Sequence, residues 1–256
     1  MYHNIHDPVQ DSARIDPYAV STPDFAAHIG AIAARVGIAA PLAYSNLEPR
    51  EQNRGVWAIT FDDGRDGSIL AADILEARGW RGYFFIVTDL MGSPGFLNRE
   101  QILELQVHGH VIGSHSASHP AAMSSLPFPA LLEEWQSSVD VLSELLGKPV
   151  TVAAVPGGSY SRAVAAAAAQ AGIRTLFTSE PSSHPRLVEG CLVAGRYLVR
   201  NGTSSSTAAG LAAGGLAPRA SQIARWRTRQ FAMMVLGRRY YAARAAVLRS
   251  RTSGPR

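Results

Sequence analysis

Short apolar runs alternate with longer amphipathic segments along most of this 256-residue chain. The runs are rich in β-branched and aromatic residues, which is typical of buried strands. Repeated strand–helix units predict a parallel sheet, either closed into a barrel or doubly wound. In both architectures the functional residues gather at the carboxyl ends of the strands. The predicted strands are Val56–Phe61, Tyr83–Val87, His110–Gly113, Thr151–Val155, Arg174–Thr178 and Leu192–Val199.

Helical spacing of apolar residues, with start and stop signals, predicts the connecting helices. They lie at residues 22–36, from residue 69 to a stop at Gly79, from residue 131 to a stop at Gly147, and at residues 161–171. Residues 1–200 are expected to form one catalytic unit, and residues 201–220, rich in Ser, Ala and Gly, a short helix and a linker. Residues 221–256 are predicted to form a basic amphipathic helical extension whose buried side consists of Ile223, Trp226, Phe231, Met234 and Val235, with a break at Gly237.

The charge of the chain is unevenly distributed. Residues 221–256 contain nine arginines and no acidic residue, although the net charge of the whole chain is only +4. Such a segment suits phosphates, lipid head groups or an acidic surface. We expect it to pack on the barrel, with contact to a membrane surface as the alternative, and we expect no nucleic-acid partner.

A hydrophobic share of 46% and a charged share of 17% exclude a disordered chain. The single cysteine, Cys191, excludes an internal disulfide and is predicted to be a buried, inert thiol. The sequence shows no stretch typical of a secretory signal or a membrane-spanning helix. A cytoplasmic location is therefore the expectation, with membrane association through the basic segment as an option.

Two adjacent aspartates follow the first predicted strand, in the sequence TFDDGRDGS. Asp62 and Asp63 thus lie where a strand ends and a loop begins. Asp-Gly pairs are common in turns, so a turn is one interpretation. The other interpretation is a catalytic site in which the two carboxylates have different roles.

Four of the eight histidines lie within HGHVIGSHSASHP. A proline follows His119 and disfavours a helix there, so we place His115 and His119 at a strand end and in its loop. Two histidines and one carboxylate, with an open position for water, are typical of a catalytic zinc site. Asp62 or Asp63 could supply that carboxylate, and the other could serve as a general base.

The sequence VPGGSYS connects a predicted strand to a predicted helix. Its glycines permit close approach to the backbone, and an N–H there could stabilise an oxyanion. An ordinary glycine-rich connection with a serine helix cap is the alternative.

Together, and in this order, the three clusters resemble the motifs of the polysaccharide deacetylases, the NodB-type domain of carbohydrate esterase family 4. TFDDG is similar to the first motif of that family, HSASHP to the second and VPGGSYS to a shortened third. MYHNI and DPYAVSTPDFAAHI are similar to its first strand and helix. The resemblance implies a distorted (β/α) barrel that binds a divalent metal, usually Zn²⁺.

The resemblance also implies roles for the matching positions. Asp62 would be the catalytic base, and the N–H of Gly157 would help to hold the oxyanion. The metal ligands would be Asp63, His115 and His119, and the substrate contacts would include Pro156 and Tyr160. His108 and His110 fall outside the motif and are interpreted as structural.

Two departures from the family pattern stand out. Ala154 occupies a position where the family has an arginine that orients the base, so either Arg196 or Arg200 substitutes for it or the base is held less firmly. The family's Leu-x-His, which contains its general acid, has no counterpart near the end of the chain. His3 is our candidate for protonating the leaving amine, with His184 as a weaker one.

The resemblance predicts a metal-dependent hydrolase that removes an N-acetyl group from an N-acetylhexosamine. The substrate would be a glycan, a glycolipid or a nucleotide-linked precursor. One alternative is hydrolysis of another carbon–nitrogen amide bond on the same barrel. The other is a glycan-binding pseudoenzyme, which the two departures favour and the second carboxylate opposes.

Overall fold

The computed structural model describes residues 1–9, 16–37 and 57–236. Its strands are β1 (Asn4–His6), β2 (Ala19–Ser21), β3 (Thr60–Phe61), β4 (Tyr83–Ile86), β5 (Val111–Ser114), β6 (Val152–Ala154), β7 (Thr175–Phe177), β8 (Arg186–Val188) and β9 (Cys191–Ala194). Its helices are α1 (Thr22–Val36), α2 (Ser68–Glu76), α3 (Arg99–Val107), α4 (Phe128–Leu146), α5 (Arg162–Gln170), α6 (Ser205–Ala212) and α7 (Leu216–Leu236).

Seven strands form one curled sheet in the order β3-β4-β5-β6-β7-β9-β8. All neighbours are parallel except β8, which pairs antiparallel with β9. Apart from this final hairpin, the strand order follows the chain, so the sheet lacks the reversal that defines a doubly wound fold. The prediction of a distorted (β/α) barrel is confirmed.

Residues at the start of the chain bridge the two sides of the curled sheet. The Tyr2 N–H donates to the Thr60 carbonyl at 2.8 Å, and the Val199 N–H donates to the Met1 carbonyl at 2.9 Å. Backbone pairing therefore links β3, through the beginning of the chain, to the segment that follows β9. This closure brings together residues of β3 and of the post-β9 segment that are far apart in both the sequence and the strand order.

The interior of the barrel is aromatic. Tyr83, Phe85 and Phe177 are almost fully buried there, with ring centroids 5.4 to 6.2 Å apart. Phe85 and Tyr83 alternate with residues that face the outer helices, as expected for a strand covered on both faces. The aromatic layer forms an apolar floor for the polar residues at the strand ends.

Several predicted boundaries differ from the observed ones. The last predicted strand ends at Ala194 and does not reach Val199, because the chain leaves the sheet there to pair with Met1. The first strand covers only Thr60–Phe61, and Val56 lies outside the described residues, as does Gly237.

The prediction that Phe231 lies on the buried side of the basic segment is wrong, because this residue is 64% exposed. Ile223 and Trp226 are half-buried, and the side chains of Met234 and Val235 lie outside the described part. Within the described ranges, no helix is both long and apolar enough to cross a bilayer.

Candidate active site

Three strand ends bring the predicted functional residues to one side of the barrel. Asp62 and Asp63 follow β3, His115 and His119 follow β5, and Gly157 follows β6. Because parallel strands end at the same edge, motifs almost 100 residues apart meet there. All five residues line one cavity.

Asp63, His115 and His119 form the one cluster of potential metal ligands found among the described residues. Asp63 Oδ1 lies 3.4 Å from His115 Nε2 and 3.5 Å from His119 Nε2. One ligand atom from each residue lies within 4.8 Å of the other two. Two imidazole nitrogens and a carboxylate oxygen converging in this way fit a divalent ion such as Zn²⁺.

The ring of His115 is fixed by its other nitrogen. His115 Nδ1 lies 2.8 Å from the Ala154 carbonyl oxygen, which can only accept a hydrogen bond. Nδ1 therefore carries a proton, which leaves Nε2 as the ring atom that faces Asp63 and the ligand cluster. Backbone strain accompanies this arrangement, because Asp63 and His119 have positive φ values of 74° and 58°.

The charges around the cluster favour an ionised carboxylate. Burial alone would raise the pKa of Asp63, but the neighbouring histidines outweigh it and hold that pKa well below its usual range. Burial would lower the pKa of His115, yet the carboxylates of Asp62 and Asp63 raise it. Both residues thus favour a positive charge between them, which is what a bound cation supplies.

Asp62 is paired with an arginine from the segment after β9. Arg196 Nη1 donates to Asp62 Oδ1 at 2.6 Å and Nη2 donates to Oδ2 at 2.8 Å. Asp62 is 2% exposed and Arg196 is 6% exposed, so the pair is almost fully withdrawn from water. Of the two arginines proposed to replace the one missing at Ala154, Arg196 is therefore the one that pairs with Asp62, whereas Arg200 is exposed at the cavity wall.

Arg196 is itself rigidly held. Its Nε donates to the Thr178 carbonyl at 3.2 Å, and its Nη1 also donates to Thr60 Oγ1 at 3.1 Å. Its guanidinium lies over the rings of Phe85 and Phe177. Burial alone would raise the pKa of Asp62, but the charge of Arg196, helped by His115 and His3, lowers it. Asp62 is thus kept ionised at neutral pH.

The glycine-rich connection forms a 3-10 turn at Pro156–Gly158. Gly157 has a φ of 58° and lines the cavity. The N–H of the second residue of such a turn has no acceptor within the turn, which leaves it available to a ligand. Pro156 and Tyr160 are not among the residues that line the cavity, and the Tyr160 ring packs against Arg186.

His3 lines the cavity beside the paired aspartates. Its Nδ1 is buried and has no hydrogen-bond partner among the described residues. Burial lowers the pKa of His3, with Asp62 and Asp63 acting in the opposite direction. His184, the weaker candidate, is exposed and lies outside the cavity wall.

The remaining histidines of the cluster and Cys191 are structural. His110 Nε2 and His108 Nδ1 lie 2.9 and 3.1 Å from Glu76 Oε1, and neither histidine lines the cavity. The Cys191 thiol is buried, donates to the Ile173 carbonyl at 2.9 Å and has its pKa raised by burial to about 11. A thiol with that pKa is inert near neutral pH.

Comparison with known proteins points to one family. Residues 50–176 match the sequence profile of the polysaccharide deacetylases. The protein YxkH of Bacillus subtilis (strain 168) is 28% identical over 149 residues, which cover 58% of this chain and 53% of YxkH. The chain thus spans about half the length of the curated relatives it matches.

Solved structures share the fold. IcaB from Ammonifex degensii matches with a TM-score of 0.66 at 22% identity, over 83% of this chain and 95% of IcaB. The Streptococcus pyogenes deacetylase PplD, solved in complex with acetate, matches with a TM-score of 0.60 at 22% identity, over 80% of this chain and 92% of PplD. At these identities the likeness supports the barrel architecture.

Proposed function

Because the chain belongs to the polysaccharide deacetylase family, we propose that it is a metal-dependent hydrolase that removes the N-acetyl group from an N-acetylhexosamine. The main support for this proposal is the geometry of the site. The cluster of Asp63, His115 and His119 adjoins a buried, ionised Asp62 at the same cavity. A binding protein would need the ligand cluster at most, whereas a hydrolase also needs a base beside it.

We propose Zn²⁺ as the ion, held by Asp63, His115 and His119. Such an ion would polarise the acetamide carbonyl and make nearby water more acidic. Asp62 accepts the proton of the attacking water, and Arg196 holds the carboxylate in place during this step. The N–H of Gly157 donates to the carbonyl oxygen as negative charge develops on it. Pro156 and Tyr160 would act indirectly, by holding this turn.

The reaction ends when the carbon–nitrogen bond breaks and the amine receives a proton. The water oxygen remains on the acetyl carbon, so the products are acetate and a free amino sugar. We propose that His3 delivers the proton to the amine. His3 suits this role because it lines the same cavity as Asp62 and Asp63, and its buried Nδ1 has no hydrogen-bond partner among the described residues.

The function is tested by measuring the acetate released from N-acetylglucosamine oligomers by the zinc-loaded protein. Small cyclic amides serve as the competing substrate class. Acetate release from the oligomers supports the proposal. Hydrolysis of the cyclic amides alone would favour the other amide hydrolase, and zinc uptake without any hydrolysis would favour the pseudoenzyme.

His3→Gln is expected to lower acetate release from an N-acetylglucosamine oligomer by about 100-fold, because the leaving amine loses its proton donor. The same variant should hydrolyse 4-nitrophenyl acetate at nearly the wild-type rate, since nitrophenolate leaves without protonation. Steady-state kinetics with both substrates measures the two effects.

The matched control for this prediction is His184→Gln, which changes an exposed histidine outside the cavity wall. It should leave both rates unchanged. Equal losses on the amide and on the activated ester in His3→Gln would contradict proton donation and indicate a structural role.

A further inference from the structure

The cavity that contains the candidate active site extends well beyond it. Its volume is about 1090 Å³, and it runs from the metal-ligand cluster to a wall formed by α6 and α7. Besides the candidate catalytic residues, three arginines from other parts of the sequence line this cavity. They are Arg35 in the last turn of α1, Arg200 after β9 and Arg225 on α7.

Specific contacts hold α7 in position as this wall. The Gln222 side chain donates to the Leu198 carbonyl at 2.7 Å and accepts from the Leu198 N–H at 2.9 Å. Arg219 donates to the Leu211 carbonyl of α6 at 3.0 Å and lies over the Tyr197 ring. Arg219 is thus used to dock the helix, whereas Arg225, about two turns further on, faces the cavity.

The three cavity arginines have no acidic partners in the described part of the chain. None of the ion pairs found there includes Arg35, Arg200 or Arg225. The acidic residues lining the cavity are Asp62 and Asp63. Asp62 is neutralised by Arg196, and Asp63 belongs to the metal-ligand cluster.

Apart from Asp62 and Asp63, the charged side chains that line the described part of the cavity are therefore arginines, and a neutral glycan would leave their charge unused. Guanidinium groups present a planar fork of donors that matches a phosphate in bidentate fashion. Three of them around one cavity suit a compact group with two or more negative charges better than the single carboxylate of an acidic sugar. Trp226, half-buried beside Arg225, adds an aromatic surface to the same wall.

We propose that the substrate is an N-acetylhexosamine bearing a phosphate or diphosphate ester, and that Arg35, Arg200 and Arg225 bind this group while the acetamide lies at the metal-ligand cluster. The inference rests on the proposed function and specifies its substrate class. A nucleoside diphosphate sugar and a polyprenyl diphosphate sugar share this chemistry.

The kinetic test compares kcat/KM for acetate release from four substrates. These are methyl N-acetylglucosaminide, a nucleoside diphosphate N-acetylglucosamine, a polyprenyl diphosphate N-acetylglucosamine in detergent micelles, and a disaccharide of N-acetylglucosamine and glucuronate. At least one diphosphate substrate should exceed the neutral glycoside by about 100-fold, because charge-assisted hydrogen bonds to phosphate are strong. The diphosphate substrate with the higher kcat/KM shows whether the sugar is linked to a nucleoside or to a polyprenyl chain.

The double variant Arg200→Gln/Arg225→Gln should lose most of that preference and leave the rate on the neutral glycoside unchanged. Arg227→Gln is the matched control, since Arg227 is exposed on the same helix but does not line the cavity. Equal kcat/KM of the wild type on neutral and diphosphate substrates would overturn the inference. A preference for the glucuronate disaccharide would also overturn it, by showing that the arginines bind a carboxylate.

Binding of inorganic pyrophosphate, measured by calorimetry on the zinc-loaded protein, decides the inference independently of turnover. The affinity for pyrophosphate should fall about tenfold or more in the double variant and stay constant in Arg227→Gln. Any binding of pyrophosphate to the zinc ion itself would be the same in the wild type and in both variants. If no substrate releases acetate, the proposed function fails, and this measurement still decides the anion site. Equal pyrophosphate affinity in the wild type and the double variant would reject that site.

Discussion

Asp62→Asn is expected to reduce acetate release by about 1000-fold while the protein keeps its metal, because an amide cannot accept the proton of the attacking water. The ligand cluster of Asp63, His115 and His119 is untouched by this change. Initial rates on an N-acetylglucosamine oligomer and the zinc content of the purified protein, taken together, measure the effect.

Asp66→Asn is the matched control for this prediction. Asp66 lies in the same loop but is exposed and does not line the cavity, and its carboxylate accepts a hydrogen bond from the Gly67 N–H. It should keep nearly the full rate. Activity of Asp62→Asn within a few-fold of the wild type would show that another group accepts the proton.

Arg196→Gln is expected to lower the free energy of unfolding by about 3 to 5 kcal/mol, because it leaves the buried Asp62 carboxylate without its countercharge. The loss should be measured by urea unfolding at pH 7. Arg186→Gln is the control: Arg186 pairs with Glu180 at 2.9 Å, but this pair is partly exposed, so its loss should cost at most about 1 kcal/mol.

The same substitution should change the pH dependence of catalysis. In the wild type, Arg196 lowers the pKa of Asp62, so the base stays ionised to low pH. Without the arginine, the largest influence that lowers the pKa of Asp62 is lost, so this pKa rises. The acidic limb of the kcat/KM profile should therefore move to higher pH. An unchanged limb would contradict the role of Arg196 in holding the base ionised.

The sequence predicted the barrel because its strands are apolar runs with turn signals, but several elements were missed, and α3 and β8 show why. The first, α3, buries only Ile102 and Leu105 and is otherwise polar, so its periodicity is weak. Its capping box, in which Asn98 and Gln101 bond each other's backbone N–H, was the available signal. The strand β8 is an exposed edge, and the turn at Glu189 and Gly190, both at positive φ, marked its hairpin.

The ligand cluster followed from residue types and strand ends, whereas the partner of the base did not. Arg196 and Asp62 are 134 residues apart and belong to opposite sides of the curled sheet. Those sides are joined by Met1 and Tyr2, which pair with residues on both of them. A closure of this kind depends on the curvature of the whole sheet, so local sequence patterns named Arg196 as one of two candidates and could not choose between it and Arg200.

In the proposed mechanism, Asp63, His115 and His119 hold one divalent ion that is required for removal of the acetyl group. The most direct test is a titration of the chelator-treated protein with Zn²⁺, in which acetate release from an N-acetylglucosamine substrate is followed. We predict negligible release before zinc is added and a rise that ends at one equivalent, with no rise in His115→Ala. Full acetate release from the chelator-treated protein, or an equal response in His115→Ala, would contradict the claim.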